Sequence, residues 1–208
     1  MNNWEIAVLL YIAFGIITFI PVLIAILRKV KLNPGGDAFD SSPHFNEANK
    51  QLLNSHYSRI YGTLIFWKNK AEWNKRFHMY TFIWSIPVSI LIPIITQTVD
   101  NLNSSKLFLT IISSHIAIII GFHRALKIEN NYKAFRQGES EFYDMYRRLL
   151  DRPLSFGSSE EEQIDNYFKE AENIRRFVRN AETDNFPMIE DLRKSPAANR
   201  VARPTRQF

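Results

Sequence analysis

The stretch that decides the fold is residues 80–122. It holds two apolar runs, YTFIWSIPVSILIPII at 80–95 and LFLTIISSHIAIIIGF at 107–122, joined by the polar segment 96–106. Neither run contains Asp, Glu, Lys or Arg, and basic, aromatic sequence flanks both. In water such runs would form core helices. Beside a third and longer run at 6–27 they read as a transmembrane hairpin. The expected fold class is an all-α integral membrane protein with three transmembrane helices. The second and third form a hairpin with long cytosolic helical extensions, and a further amphipathic cytosolic helix follows.

The chain has 208 residues and a net charge of +5. Its mean hydropathy of −0.20 resembles that of a soluble protein only because charged and apolar segments are averaged together. Cysteine is absent, which excludes disulfide scaffolds, Cys-ligated zinc and thiol catalysis. The first apolar run has an acid and no base before it, and Arg28, Lys29 and Lys31 after it, with no small-residue cleavage pattern. It therefore reads as an uncleaved anchor of 22 residues, about 33 Å long as a helix.

Orientation follows from the bases. Of 26 Lys and Arg, nine lie in 28–79, sixteen in 123–208, and one, Lys106, in the hairpin loop. The positive-inside rule places the N-terminus outside, residues 28–79 inside, the hairpin loop outside and the C-terminal third on the cytoplasmic side. Both hairpin cores are short for a hydrocarbon layer of about 30 Å. Phe77, Met79 and Val99 can lengthen one, and Ala125 with Leu126 the other.

Around the spans the chain divides into an anchor at 1–32, a linker at 33–42, a helical hairpin with its extensions at 43–152, a C-terminal helical region at 153–193 and a basic tail at 194–208. Trp4 and Tyr11 are expected at the outer interface. Ser42-Pro43 has the form of a helix start. From there a stripe of Leu53, Tyr57, Ile60, Leu64, Trp67 and Ala71 predicts a helix running into the second span, where Pro87 and Pro93 argue against straightness. Arg28, Lys29, Trp67, Lys68, Lys70, Trp73, Lys75 and Arg76 are expected as anchors at the inner membrane surface. The third span is expected to continue into a stalk. Gly121, Ile128, Phe135, Phe142 and Leu149 recur every seven residues, and Ala125, Tyr132, Glu139 and Tyr146 fall four after the first four. Ile128, Tyr132, Phe135, Phe142, Tyr146 and Leu149 thus form a candidate oligomerisation seam, with pairing inside one subunit and pairing between subunits both open. Asp151-Arg152-Pro153 ends it. Ser158 or Ser159 before three glutamates opens the last helix, with Ile164, Tyr167, Ala171, Ile174 and Val178 as its apolar stripe.

Polar residues inside the spans are the candidate site. Thr81, Ser85 and Ser89 lie at four-residue steps on the second span. Thr110, Ser114, Ala117 and Gly121 form a small-residue stripe on the third, with Ser113 and His115 beside it. Such residues either let helices pack closely or line water after assembly. His115 sits deep in its run, so it is either a gating group or a neutral ring bonded to a neighbour. The other histidines, His44, His56, His78 and His123, look scattered, and no metal-ligand spacing occurs. No catalytic, phosphate-loop or dinucleotide motif is present, so neither enzymatic activity nor a cofactor is expected. The bases lie beside the spans, where lipid accounts for them, and direct nucleic-acid binding is not expected.

One resemblance stands out. A cytosolic helix ending in Trp73-Asn74-Lys75-Arg76-Phe77-His78 leads into a two-span hairpin. The third helix then emerges into Asn131-Tyr132-Lys133-Ala134-Phe135-Arg136 and continues to residues 143–150. This layout, from about 46 to 194, resembles the SLATT domain, a two-span membrane effector domain of bacterial conflict systems, here with an added N-terminal span. The resemblance implies a homo-oligomeric antiviral effector that forms a pore or disrupts the membrane. It also implies a cytosolic defence partner, such as a nucleotide-producing or nucleotide-sensing enzyme or a reverse-transcriptase system. The rival expectation is a non-conducting adaptor that recruits a soluble partner through its cytosolic helices.

Overall fold

The computed structural model describes residues 2–28, 32, 39–99 and 103–184. Among these residues the protein is all-helical, with α1 (Asn3–Leu27), α2 (Glu47–Thr98), α3 (Asn103–Ala125), α4 (Ile128–Asp151) and α5 (Glu160–Asp184). Three of them, α1, α2 and α3, are long and apolar enough to cross a membrane. Lys29 and the tail at 194–208 lie outside the described residues.

Two cores share one helix. The first, an apolar bundle, packs Val22 of α1, Tyr80, Trp84 and Val88 of α2, and Phe108, Ile112, Ile116 and Ile119 of α3. The second, in the charged half, packs the first half of α2 against α4 and α5. α2 belongs to both, because it runs unbroken for 52 residues, about 78 Å. Pro87 and Pro93 lie inside it without interrupting it. Each removes one backbone donor, a loss that neighbouring helices make tolerable in an apolar bundle.

Three expectations need correction. The helix does not start at Ser42-Pro43. Asn46 caps it, its side-chain oxygen accepting from the Asn49 N–H at 2.9 Å. The preceding chain instead forms a 3-10 turn at Phe39–Ser41 that drives Phe39 and Phe45 into the charged-half core. The Phe39 ring meets Phe45, Tyr146 and Tyr167, so a helix begun four residues earlier would pull those rings out.

The third span does not flow into α4 either. Lys127 adopts a left-handed conformation, with φ of +43°, between α3 and α4. Two side-chain hydrogen bonds brace the interruption. Asn131 Nδ2 donates to the Leu126 carbonyl at 2.9 Å, and Lys127 Nζ donates to the Asp184 carbonyl at the end of α5 at 2.6 Å.

The heptad seam, finally, is spent within one chain. Ile128, Phe135, Phe142, Tyr146 and Leu149 are buried, and Tyr132 is half-buried. Phe135, Phe142, Tyr146 and Leu149 share a core with Leu53, Ile60 and Leu64 of α2 and Tyr167 and Ile174 of α5. The seven-residue period therefore records α4 packing on its own neighbours, which leaves Phe135, Phe142, Tyr146 and Leu149 buried within the chain.

The rest of α4 and α5 follows the sequence. α4 ends at Asp151, and Pro153 begins the next turn. At the start of α5 Ser159 Oγ accepts from the Glu162 N–H at 3.3 Å while Glu162 Oε2 accepts from the Ser158 N–H at 2.8 Å. Ile164, Tyr167, Ala171, Ile174 and Val178 are all buried.

Candidate functional site

The polar residues of the apolar bundle divide into an inner set and an outer set. His115 of α3 is inner. Its Nδ1 lies 2.7 Å from the Tyr11 hydroxyl of α1, and its Nε2 lies 3.1 Å from the Tyr80 hydroxyl of α2. A neutral imidazole offers one donor and one acceptor, so two hydroxyls satisfy it completely. Beside it Trp84 Nε1 donates to Thr18 Oγ1 at 2.9 Å, tying α2 to α1. The rings of Tyr11, Tyr80 and Trp84 all contact the imidazole, those of Tyr11 and Trp84 edge-on at centroid distances of 5.5 and 5.2 Å. Tyr11 is thus a bundle residue and not an interfacial aromatic as expected. Trp4, near the start of α1, contacts the Phe108 ring at a centroid distance of 5.7 Å.

Thr81 is buried and donates its hydroxyl to the Phe77 carbonyl at 3.0 Å. Ser85 and Ser113 are half-buried. The outer set consists of Ser89 on α2 and Thr110 and Ser114 on α3, all exposed. On α3 the exposure continues through Ala117 and Gly121, so the small-residue stripe faces away from the bundle. A Cβ added at Gly121 would meet nothing within 4 Å. The opposite side of α3, with Ser105, Phe108, Ile112, Ile116 and Ile119, is the buried one.

Two histidines thought scattered come together. His78 Nδ1 and His123 Nε2 are 2.8 Å apart where the hairpin leaves the apolar bundle. They lie nearly equidistant in sequence from the middle of the polar segment 96–106, so antiparallel pairing of the two apolar runs alone could have matched them. Among the described residues no three His, Asp or Glu side chains are grouped to hold a metal ion.

The expected interface anchors also separate. Trp67 is core, buried against the close approach of Gly138, and is not a lipid-facing anchor. Trp73 is half-buried with the Lys70 ammonium 5.6 Å from its ring centroid, and the same ammonium lies 5.5 Å from the Phe66 ring. Arg28, Lys68, Lys75 and Arg76 line one cleft between α1, α2 and α4. Glu139, the acid that interrupts the seam, is buried at the edge of this cleft with 3 % of its surface exposed. Its carboxylate accepts from Arg136 at 2.6 Å and lies 3.8 Å from Lys68 Nζ.

In the charged half, Tyr57, Tyr146 and Tyr167 cluster around Phe39 and Phe142. Burial, with Tyr57 and Asp40 nearby, pushes Tyr146 up to about 12. These phenols stay neutral at physiological pH and contribute packing, not charge. Comparison with family models, curated proteins and solved structures gives no match.

Proposed function

We propose that this chain is a membrane effector of bacterial antiviral defence, which oligomerises in the inner membrane and forms a pore or otherwise disrupts it when a cytosolic partner or signal acts on its charged half. The antiviral context rests on the resemblance to SLATT domains. The observation that carries the membrane activity is the outward stripe of Thr110, Ser114, Ala117 and Gly121 on α3. Isolated in lipid, such a face gains little from its hydroxyls and small side chains. Against the same face of another subunit it permits close backbone approach, and around a lumen it presents hydroxyls to water. Subunits then meet through α3, since the α4 seam is occupied within each chain.

The test is to express the full chain with the proteins encoded beside it and follow membrane potential by dye uptake. Loss of potential on triggering, abolished by Ser114→Leu or Gly121→Leu with insertion unchanged, supports the reading. Unchanged potential in triggered wild-type cells overturns it.

A groove of about 590 Å³ between α4 and α5 favours the adaptor as a second reading. It presents Glu141, Asp144, Arg148, Glu170 and the exposed ring of Phe177. An adaptor would lose its partner on Phe177→Asp and be indifferent to Ser114→Leu.

A further inference from the structure

The cleft between α1, α2 and α4 has a volume of about 880 Å³ and two unlike walls. Five cations line it: Arg28 after α1, Lys68, Lys75 and Arg76 on α2, and Arg136 on α4. Among the described residues two acids oppose them, Glu72 and Glu139, and both are already engaged, Glu72 with Arg76 at 2.7 Å and Glu139 with Arg136 and Lys68. Arg28 and Lys75 have no carboxylate within ion-pair distance among the described residues and are left to face the cleft. The other wall is apolar, made of Pro21, Ile24 and Ala25 of α1.

Position and chemistry agree. Lys75 precedes the apolar run of α2 by five residues, about 7.5 Å along the helix, which is headgroup depth for a chain entering a bilayer at Tyr80. Glu139 is the buried charge that fixes the cationic wall. A carboxylate left in a core with no partner is costly, and here it holds Arg136 and Lys68 in place from behind. A doubly ionised or diester phosphate would meet Arg28 and Lys75 in charge-assisted hydrogen bonds. A free phosphate compound would leave Pro21, Ile24 and Ala25 wetted, whereas a ligand with hydrocarbon attached covers them.

We propose that this cleft is a binding site for the phosphate headgroup of an anionic glycerophospholipid, whose acyl chains lie along the apolar wall formed by α1. The proposal rests on α1, α2 and α3 spanning a bilayer, and not on the protein forming a pore.

The experiment uses the purified full chain in neutral detergent and titrates phosphatidylglycerol, phosphatidylcholine or glycerol 3-phosphate while thermal unfolding is followed. Phosphatidylglycerol is expected to raise the unfolding temperature saturably. The double variant Arg28→Gln, Lys75→Gln, whose residues have no carboxylate partner among the described residues, should unfold like wild type without lipid. It should need at least about tenfold more lipid for half-saturation. The control Arg147→Gln, Arg179→Gln, equal in charge but away from the cleft, should respond like wild type. Glycerol 3-phosphate acting at the same concentration as phosphatidylglycerol would overturn the lipid assignment in favour of a soluble phosphoester. An equal response to phosphatidylcholine, or an unaltered response in the cleft variant, would overturn the site. Extraction of the wild-type chain from membranes by carbonate would overturn the bilayer reading and the site with it, whatever the conductance result.

Discussion

At the scale of single residues, hydrogen bonds decide what the polar groups are for. Both nitrogens of His115 are engaged by Tyr11 and Tyr80, so this ring ties three helices together. Tyr11→Phe or Tyr80→Phe leaves one nitrogen without a partner, and each is expected to lower stability in detergent by about 1 kcal/mol. Thermal unfolding would show it, and the triggered loss of membrane potential should persist. His115 stands out in the sequence because it is an ionisable group in an apolar run. Its partners do not, because they lie 104 and 35 positions away and the contact depends on the rotation of three helices.

His56 makes a different prediction. Burial, helped by Arg59 and Arg175, holds its ring below the ordinary 6.5. The unfolded chain therefore binds a proton more readily than the folded one. The stability contributed by the neutral ring is complete above about 6.5 and falls as pH drops below that value. The unfolding temperature should decline from pH 7 to pH 5, and less steeply in His56→Gln, which can still bond the Tyr167 hydroxyl now 3.2 Å away.

At the scale of elements, close approaches and breaks set the packing. A Cβ at Gly138 would fall 2.2 Å from Val178 Cγ2, with Trp67 also in contact. Gly138→Ala must push α5 from α4 and is expected to cost about 1–3 kcal/mol in thermal unfolding. Adding Val178→Ala should recover part of the loss, since the two side chains compete for one space. Lys127 tests the junction of α3 and α4. Its left-handed backbone suits Lys127→Gly, whereas Lys127→Val should lower stability by about 1 kcal/mol in the same measurement.

The apolar periods that give α1, α3 and α5 are visible in the sequence, and so is the proline that ends α4. The break at Lys127 is not, because neither glycine nor proline marks it and the heptad runs straight across. The start of α2 at Glu47 is hidden for a related reason. Ser42-Pro43 has the local chemistry of a helix start, but the distant core takes Phe39 and Phe45, and tertiary burial outweighs the local signal.

For the whole molecule, segregation of charge was the legible feature, and it gives two cores in place of one. The two cores share few side chains and are expected to be separable by mutation. Phe142 is fully buried in the charged half, so Phe142→Ala should cost about 3–5 kcal/mol there. Protease digestion of membranes should then cut α4 and α5 while the spans stay resistant to carbonate extraction. Any partner lost by such a variant is lost through unfolding, because the ring is not at the surface. The site was harder to foresee. The stripe on α3 could be read, but which side of α3 met its neighbours could not, and the cleft draws on residues from three helices.

The two connections between the halves differ mechanically. α2 crosses from one core to the other as a single shaft, capped at Asn46 and pinned there by Glu160 of α5, whose carboxylate accepts from the Asn46 N–H at 3.2 Å. α3 and α4 meet instead at a joint of one left-handed residue. A load applied to the charged half would reach the apolar bundle along the continuous α2, and any bend between α3 and α4 would fall at Lys127. If α2 and α3 cross a bilayer, the same load would act as torque on α2 and turn the stripe on α3 about the joint at Lys127.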